Sequence, residues 1–273
     1  MLTKDPNYVK QVLSCPDCGW FGLMEENTKK CPFCGNKNLQ LSRKMMRPWG
    51  FAPKDAIAIP DVQLTEEYTA VQQPLYSTLP EADEMKQIPA CSNIRIASRT
   101  NQRIIMMNKG TNDKGFMVCM DCGAAMPGDD ISVLDNINRP YTSSYARSRC
   151  RHSNAFNVNL GYDFITDMLV LEFKIDDKII DAKRNDNPWL TRAAQSLAEA
   201  LRLVASKKLD VEFTELVTGY RLRTGADVSY VDIYLYDSLS SGAGYAVSVA
   251  DIINDLLVEV KELLNSCNCG TAC

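Results

Sequence analysis

The most regular pattern lies in the second half of the chain. Phe164 to Ile175 is rich in β-branched and aromatic residues, with Leu169, Leu171, Phe173 and Ile175 at every second place, which predicts a strand. Asn187-Pro188 then offers an N-cap and a proline for a first helical turn. Leu190, Ala194, Leu197, Leu201 and Val204 follow at helical spacing, an apolar stripe that should bury against a sheet. Glu212 to Arg223 suggests a second strand. Val231, Ile233 and Leu235 alternate with Asp232, Tyr234 and Tyr236 in a third. A turn, Asp237-Ser-Leu-Ser-Ser-Gly-Ala-Gly-Tyr245, leads into a last helix marked by Val249, Ile253, Leu256, Val260 and Leu263, with Ser248 and Asp251 spaced as a capping box.

Upstream the periodicity weakens. Ile94 and Ile96, then Ile104 and Met106, alternate with polar residues and predict two short strands between Ile94 and Met107. Gly110 to Gly115 reads as a hairpin turn, because the Lys-Ser/Thr of a phosphate-binding loop is missing after the second glycine. Residues 56–90 contain Pro60, Pro74, Pro80 and Pro89 with little periodicity, so an irregular connector is expected there. The expected fold is α+β: an N-terminal cysteine-knuckle ribbon with a basic and aromatic tail (1–55), the connector (56–90), a second cysteine-knuckle module (91–160), and a C-terminal mixed sheet packed with two amphipathic helices (161–273).

Composition changes the picture in two places. The 273-residue chain carries a formal charge of -4, so there is no overall basic field, and contact with nucleic acid would need a local patch. Asp61, Glu66, Glu67, Glu81, Asp83 and Glu84 oppose only Lys86 in the connector, whereas residues 91–110 carry Arg95, Arg99, Arg103 and Lys109 without an acid. The start shows no export signal and no stretch reaches the length of a membrane span, so a soluble, cytoplasmic protein is expected. In a reducing compartment its 11 cysteines point to metal, not disulfides.

Their spacing specifies which metal. Cys15-Pro-Asp-Cys18-Gly and Cys31-Pro-Phe-Cys34-Gly are two knuckles separated by twelve residues. Two thiolates two residues apart reach one ion, and the following glycine permits the tight turn, so the four cysteines predict a closed structural zinc site. So small a segment depends on the ion, which contributes roughly 10–16 kcal/mol of folding free energy in such modules. A further knuckle, Cys119-Met-Asp-Cys122-Gly, has its best partner in Cys150-Arg-His152, after 27 intervening residues, as a Cys3His site. Cys267, Cys269 and Cys273 supply three more thiolates, which Cys91 or a ligand beyond residue 273 would complete; an empty site is the equal alternative. Zinc is therefore the expected cofactor, at one site at least and at up to three.

Candidate phosphate contacts are Arg43, Lys44 and Arg47 beside Trp49 and Phe51, and Arg147, Arg149 and Arg151 beside the second knuckle. The bland reading of the first group is a solvated basic turn whose aromatics pack on the ribbon. His152 is the only histidine, and beside a cysteine it suits metal better than a hydrolytic triad. The serine- and glycine-rich turn after Asp237 has three readings in descending order: a structural turn, an anion site at a helix start, and a catalytic carboxylate.

Several of these segments together resemble a known family. Leu160-Gly-Tyr-Asp-Phe-Ile-Thr-Asp-Met-Leu-Val, Ser196-Leu-Ala-Glu-Ala-Leu, Leu235-Tyr-Asp-Ser-Leu-Ser-Ser-Gly-Ala-Gly-Tyr and the terminal Cys-x-Cys-x-x-x-Cys are similar to the zinc-binding C-terminal domain of mitomycin-repair-type superfamily 2 helicases. The same domain occurs in the helicase-associated subunit of the DISARM antiphage system. Arg47-Pro-Trp-Gly-Phe and the Cys119/Cys122 knuckle resemble the segment that precedes it, so the likeness covers residues 40–273. Two departures stand out: the family usually has adjacent glycines where Ser241-Gly242 stand, and a fourth cysteine just downstream of the terminal cluster.

The resemblance implies an α+β zinc domain working with a superfamily 2 helicase motor on DNA, in repair or phage defence. The resulting expectation is a nonenzymatic accessory module that contacts DNA or docks the motor, with no ATP-binding motif in this chain. A protein–protein adaptor without DNA binding is the alternative. A hydrolase using Asp237 with Ser240 or Ser241 comes third.

Overall fold

The computed structural model describes residues 8–17, 20–25, 28–32, 34–48, 75–76, 84–89, 91–135, 150–176, 188–224 and 228–266. Five short strands open the chain: β1 (Val9–Lys10), β2 (Val12–Ser14), β3 (Phe21–Leu23), β4 (Gln40–Leu41) and β5 (Met45–Met46). β2 is the centre of a three-stranded antiparallel sheet, in the order β3-β2-β4. Beneath it sits a small core of Leu13, Trp20, Cys15 and Cys31. Val12, Phe21 and Leu23 of the same sheet pack instead with Met45, Ile105 and Met107, which joins it to the core of the large sheet.

β6 (Leu75–Tyr76) and β7 (Lys86–Ile88) precede β8 (Cys91–Asn108), and β9 (Phe116–Cys119) forms a hairpin with β10 (Ala125–Pro127). β11 (Ala155–Ile175) follows, then α1 (Pro188–Leu209), β12 (Leu216–Thr224), β13 (Ser229–Asp237), α2 (Tyr245–Val249) and α3 (Ile253–Asn265). The connector is thus less irregular than its sequence suggests, since β6 and β7 both pair with β8.

β11 is the spine. Its 21 residues would span roughly 70 Å if straight, enough to serve two modules. It pairs β9 at Ala155–Val158, β8 from Leu160 to Phe173, and β13 from Met168 to Ile175, all antiparallel. β5 joins it in parallel at Asn159 and Leu160, which makes the large sheet mixed and attaches the N-terminal strands to it. Lys10 and Arg103 meet the Asp163 carboxylate at 2.5 and 2.7 Å, so β1 and β8 are also tied to β11 by charge.

Two expectations about strands need correction. The strand starting at Phe164 begins at Ala155 instead. Asn157, Asn159 and Gly161 are weak strand formers held in place by ladders to β8, β9 and β5, partners that are distant in sequence. The two short strands expected between Ile94 and Met107 are one strand of 18 residues. Its polar stretch stays in the ladder through an irregularity facing Thr166 and Met168.

α1 and α3 pack on one face of the sheet. Leu169 and Leu171 of β11, Ile233 and Leu235 of β13, and Leu201, Val204, Leu256 and Val260 of the helices share one buried core. Lys208 and Glu259 pair at 2.6 Å between the helices. The alternate residues face the other way: Met168, Val170, Tyr234 and Tyr236 cluster with Ile104. The expected capping box is absent. Ser248 lies inside α2, and its hydroxyl donates to the Gly244 carbonyl at 2.8 Å. Among the described residues no helix is long and apolar enough to cross a membrane.

Candidate metal centre

The second knuckle is built by a hairpin. Cys119 ends β9, and the chain reverses through Cys122 into β10. The Gly123 amide donates to the Cys119 carbonyl at 2.8 Å, and the Cys119 amide to the Ala124 carbonyl at 2.9 Å. Gly123 sits at φ 77°, left-handed backbone that a glycine adopts without cost. Across from it, Cys150 and His152 immediately precede β11, so the pairing of β9 with β11 is what brings the two halves together.

The four ligand atoms lie within 4.8 Å of one another. Cys119 Sγ and Cys150 Sγ are 3.7 Å apart, and Cys122 Sγ lies 3.5 Å from His152 Nδ1. A tetrahedron with Zn–S bonds of about 2.3 Å and Zn–N bonds of about 2.0 Å has edges of about 3.5–3.8 Å, so the donor set fits zinc. His152 is buried and adopts φ 55°, which turns its ring toward the thiols, and its amide donates to Cys150 Sγ at 3.4 Å. Burial pushes the Cys122 thiol up to about 12, with Cys119 and Cys150 adding to the shift. A divalent cation supplies the charge that stabilises such thiolates.

The first site repeats the same local design. Cys15, Cys31 and Cys34 have their sulfurs within 4.8 Å of one another, with Cys15 Sγ and Cys34 Sγ at 3.5 Å. The Gly35 amide donates to the Cys31 carbonyl at 3.0 Å and the Cys31 amide to the Asn36 carbonyl at 2.7 Å, the offsets found at Cys119. Cys15 donates to Trp20, again five residues ahead, at 2.7 Å. Cys18 lies outside the described residues, as do Cys267, Cys269 and Cys273. Cys91 is half-buried at the head of β8.

The candidate basic residues are distributed differently. Arg43 is a clamp: its Nη1 donates to the Asp113 carbonyl at 2.8 Å and to Asn159 Oδ1 at 3.3 Å, joining the ribbon's tail to the turn before β9 and to β11. Lys44, Arg47 and Arg151 are exposed. Arg147, Arg149, Trp49 and Phe51 lie outside the described residues.

Asp237 is wholly buried. Its Oδ2 accepts the Ala243 amide at 2.6 Å and the Tyr245 amide at 3.2 Å, and its Oδ1 accepts the Ala246 amide at 2.7 Å. The carboxylate therefore occupies the helix-start amides that an external anion would need. Thr166 donates to the carbonyls of Asp237 and Leu239 at 2.8 and 2.9 Å. The turn is structural, the first of its three readings.

Sequence reasoning missed a charged row across the sheet. Arg95, Glu172, Asp232 and Arg221 stand in register on β8, β11, β13 and β12. Arg223 reaches into it, with Nε 2.5 Å from Asp232 Oδ2 and Nη2 2.5 Å from Glu172 Oε2. Burial pulls the Arg223 guanidinium toward neutrality, but its hydrogen bonds to the Asp232 and Glu172 carboxylates, with their charges, outweigh it and hold the charge firmly. The available signal was acidic residues at alternate places in otherwise apolar strands.

Residues 197–273 match the family model described as the MrfA Zn-binding domain. The likeness is to a helicase-associated zinc-binding domain. Druantia protein DruE of Escherichia coli (strain UMEA 4076-1) is 30% identical over 286 residues, a match covering 98% of this chain and 15% of that protein. The chain therefore spans about a seventh of the length of that curated relative. A solved structure titled as the DUF1998 helicase MrfA bound to DNA aligns with 70% of this chain and 20% of its own, at 14% identity and a TM-score of 0.39. Zinc is the cofactor that both the family match and the two cysteine clusters support.

Proposed function

We propose that this chain is a nonenzymatic, zinc-braced accessory module of a superfamily 2 DNA helicase or translocase, acting in the cytoplasm on DNA repair or antiphage defence. It contacts DNA or docks the motor, either within a longer polypeptide or as a partner subunit. The observation that carries the reading is the cluster of Cys119, Cys122, Cys150 and His152: four protein donors at tetrahedral spacing leave no open position for a substrate. The occupied amides around Asp237 speak against a hydrolase acting through that carboxylate. Similarity to DruE and to the MrfA Zn-binding domain supports the helicase context.

The test combines three measurements on the full chain purified without chelator. Zinc content, co-purification of a helicase motor from the native host, and salt-dependent binding to a labelled oligonucleotide are read together. Bound zinc with both a motor and DNA binding supports the proposal, and DNA affinity should then fall with rising salt. Turnover of a nucleotide or nucleic acid that disappears on Asp237→Asn would replace it with the hydrolase reading. A motor without DNA binding selects the adaptor.

A further inference from the structure

The sheet has one face backed by α1 and α3 and another that carries charge. Period-2 alternation fixes which residues face which way. Ile94, Ile96, Phe173, Ile175, Leu222, Val231 and Ile233 join the core beneath the helices. Their neighbours Arg95, Glu172, Lys174, Arg221, Arg223 and Asp232 therefore point to the opposite face. There the apolar cluster around Met168, Val170 and Tyr234 draws only on sheet strands among the described residues.

Two registers organise this face. Lys174, Tyr230 and Arg223 stand abreast on β11, β13 and β12. The next row is Arg95, Glu172, Asp232 and Arg221. Arg99 extends the basic edge along β8, two residues further from Arg95 than Ala97, and meets Glu84 at 3.5 Å. Cations outnumber these three carboxylates by two, in a chain whose formal charge is -4. The patch is thus positive against the grain of the whole protein.

The carboxylates also fix the direction of the guanidinium groups. Glu172 and Asp232 are 6% and 1% exposed, whereas the side chains of Arg95 and Arg99 keep 37% and 34% of their surface and Lys174 is exposed. Buried Glu172 holds the partly exposed Arg95 in place as a rigid fork, whereas Arg221 and Arg223 keep only 14% and 15% of their side-chain surface; a guanidinium retains donors after one bidentate contact. Arg221 Nε is buried and has no hydrogen-bond partner. Arg223 lies over the Tyr230 ring at 4.8 Å, which places an aromatic face between two cations.

We infer that this face, which no helix covers among the described residues and which centres on Arg95, Arg99, Lys174 and Tyr230, binds the phosphodiester backbone of single-stranded nucleic acid. A flat row of cations with an aromatic between them matches the repeat of phosphate and base along an extended strand. The inference deepens the DNA-contacting arm of the proposed function and rests on it.

The experiment measures fluorescence anisotropy of a labelled oligothymidylate with the full zinc-loaded chain across a salt series. Lys174→Glu and Arg95→Lys are the test variants, since the first alters an exposed side chain and the second keeps the charge that Glu172 requires. A second variant, Lys44→Ala with Arg47→Ala and Arg151→Ala, probes the other basic positions. Circular dichroism and zinc content check that each variant folds. The expected result is at least about fivefold weaker binding for Lys174→Glu and a salt slope reduced by about 0.7, one phosphate contact's worth on a single strand. Wild-type affinity in folded Lys174→Glu, with binding lost in the triple variant, overturns this face while leaving DNA contact intact. Absence of oligonucleotide binding by the wild-type chain overturns this inference and the DNA arm of the proposed function. Loss of motor capture in Lys174→Glu with unchanged DNA affinity makes the face a protein contact and overturns the inference alone.

Discussion

The carboxylate of Asp237 accepts the amide of Ala246 at 2.7 Å, nine residues ahead, and so closes the turn that it begins. β13 ends at Asp237 and α2 starts at Tyr245. A negatively charged side chain at a helix start satisfies amides that have no partner within the helix. The same residue, read from sequence, had stood as a candidate catalyst.

Asp237→Asn keeps the shape and loses the charge. A buried amide group cannot accept three backbone donors as a carboxylate does, so unfolding free energy should fall by about 1–3 kcal/mol. Urea titration of both proteins measures it, with bound zinc expected to stay constant. An unchanged transition midpoint would refute the structural role.

Ser241 and Gly242 both occupy left-handed backbone, at φ 78° and 75°. The serine bears a steric cost there that glycine does not. Ser241→Gly should therefore stabilise the chain, by up to about 1 kcal/mol. Gly242→Ala should do the reverse, because its Cβ would lie 2.3 Å from Asp167 Oδ2. Equal midpoints for these two variants would contradict the turn geometry.

Each zinc site should be removable alone. Cys119→Ser or His152→Ala should lower bound zinc by about one ion per chain, as should Cys31→Ser, and their effects should add. His152→Cys offers a fourth sulfur and should retain the metal. Plasma emission spectrometry on protein purified without chelator counts the ions. Retained zinc in His152→Ala would remove His152 from the ligand set.

Arg223→Leu leaves Glu172 and Asp232 buried with fewer partners and should cost about 3–5 kcal/mol. Replacing Arg221, Arg223 and Asp232 together by apolar groups of matching size should cost much less, since Glu172 keeps Arg95 and no charge is then stranded. Denaturation of the single and triple variants compares them. A triple variant weaker than Arg223→Leu would assign the network a role in packing instead.

The C-x-x-C-G spacing by itself determined the knuckles at Cys31/Cys34 and Cys119/Cys122, because a pair of thiolates two residues apart and a left-handed glycine are local requirements. Helical and strand periodicity from Phe164 onward likewise determined most residues that line the core, as those patterns need no knowledge of partners, although Leu263 of the last helical stripe is exposed. Tertiary structure decided the rest. Cys150 and His152 join Cys119 and Cys122 only because β9 pairs with β11, and no local rule encodes that ladder. Ala155–Asp163 is strand because distant segments hold its weak formers in place. Arg43 became a clamp and Asp237 a cap through neighbours that sequence spacing cannot rank. Local chemistry follows from covalent neighbours, whereas the role of a charged group depends on which groups the fold places around it.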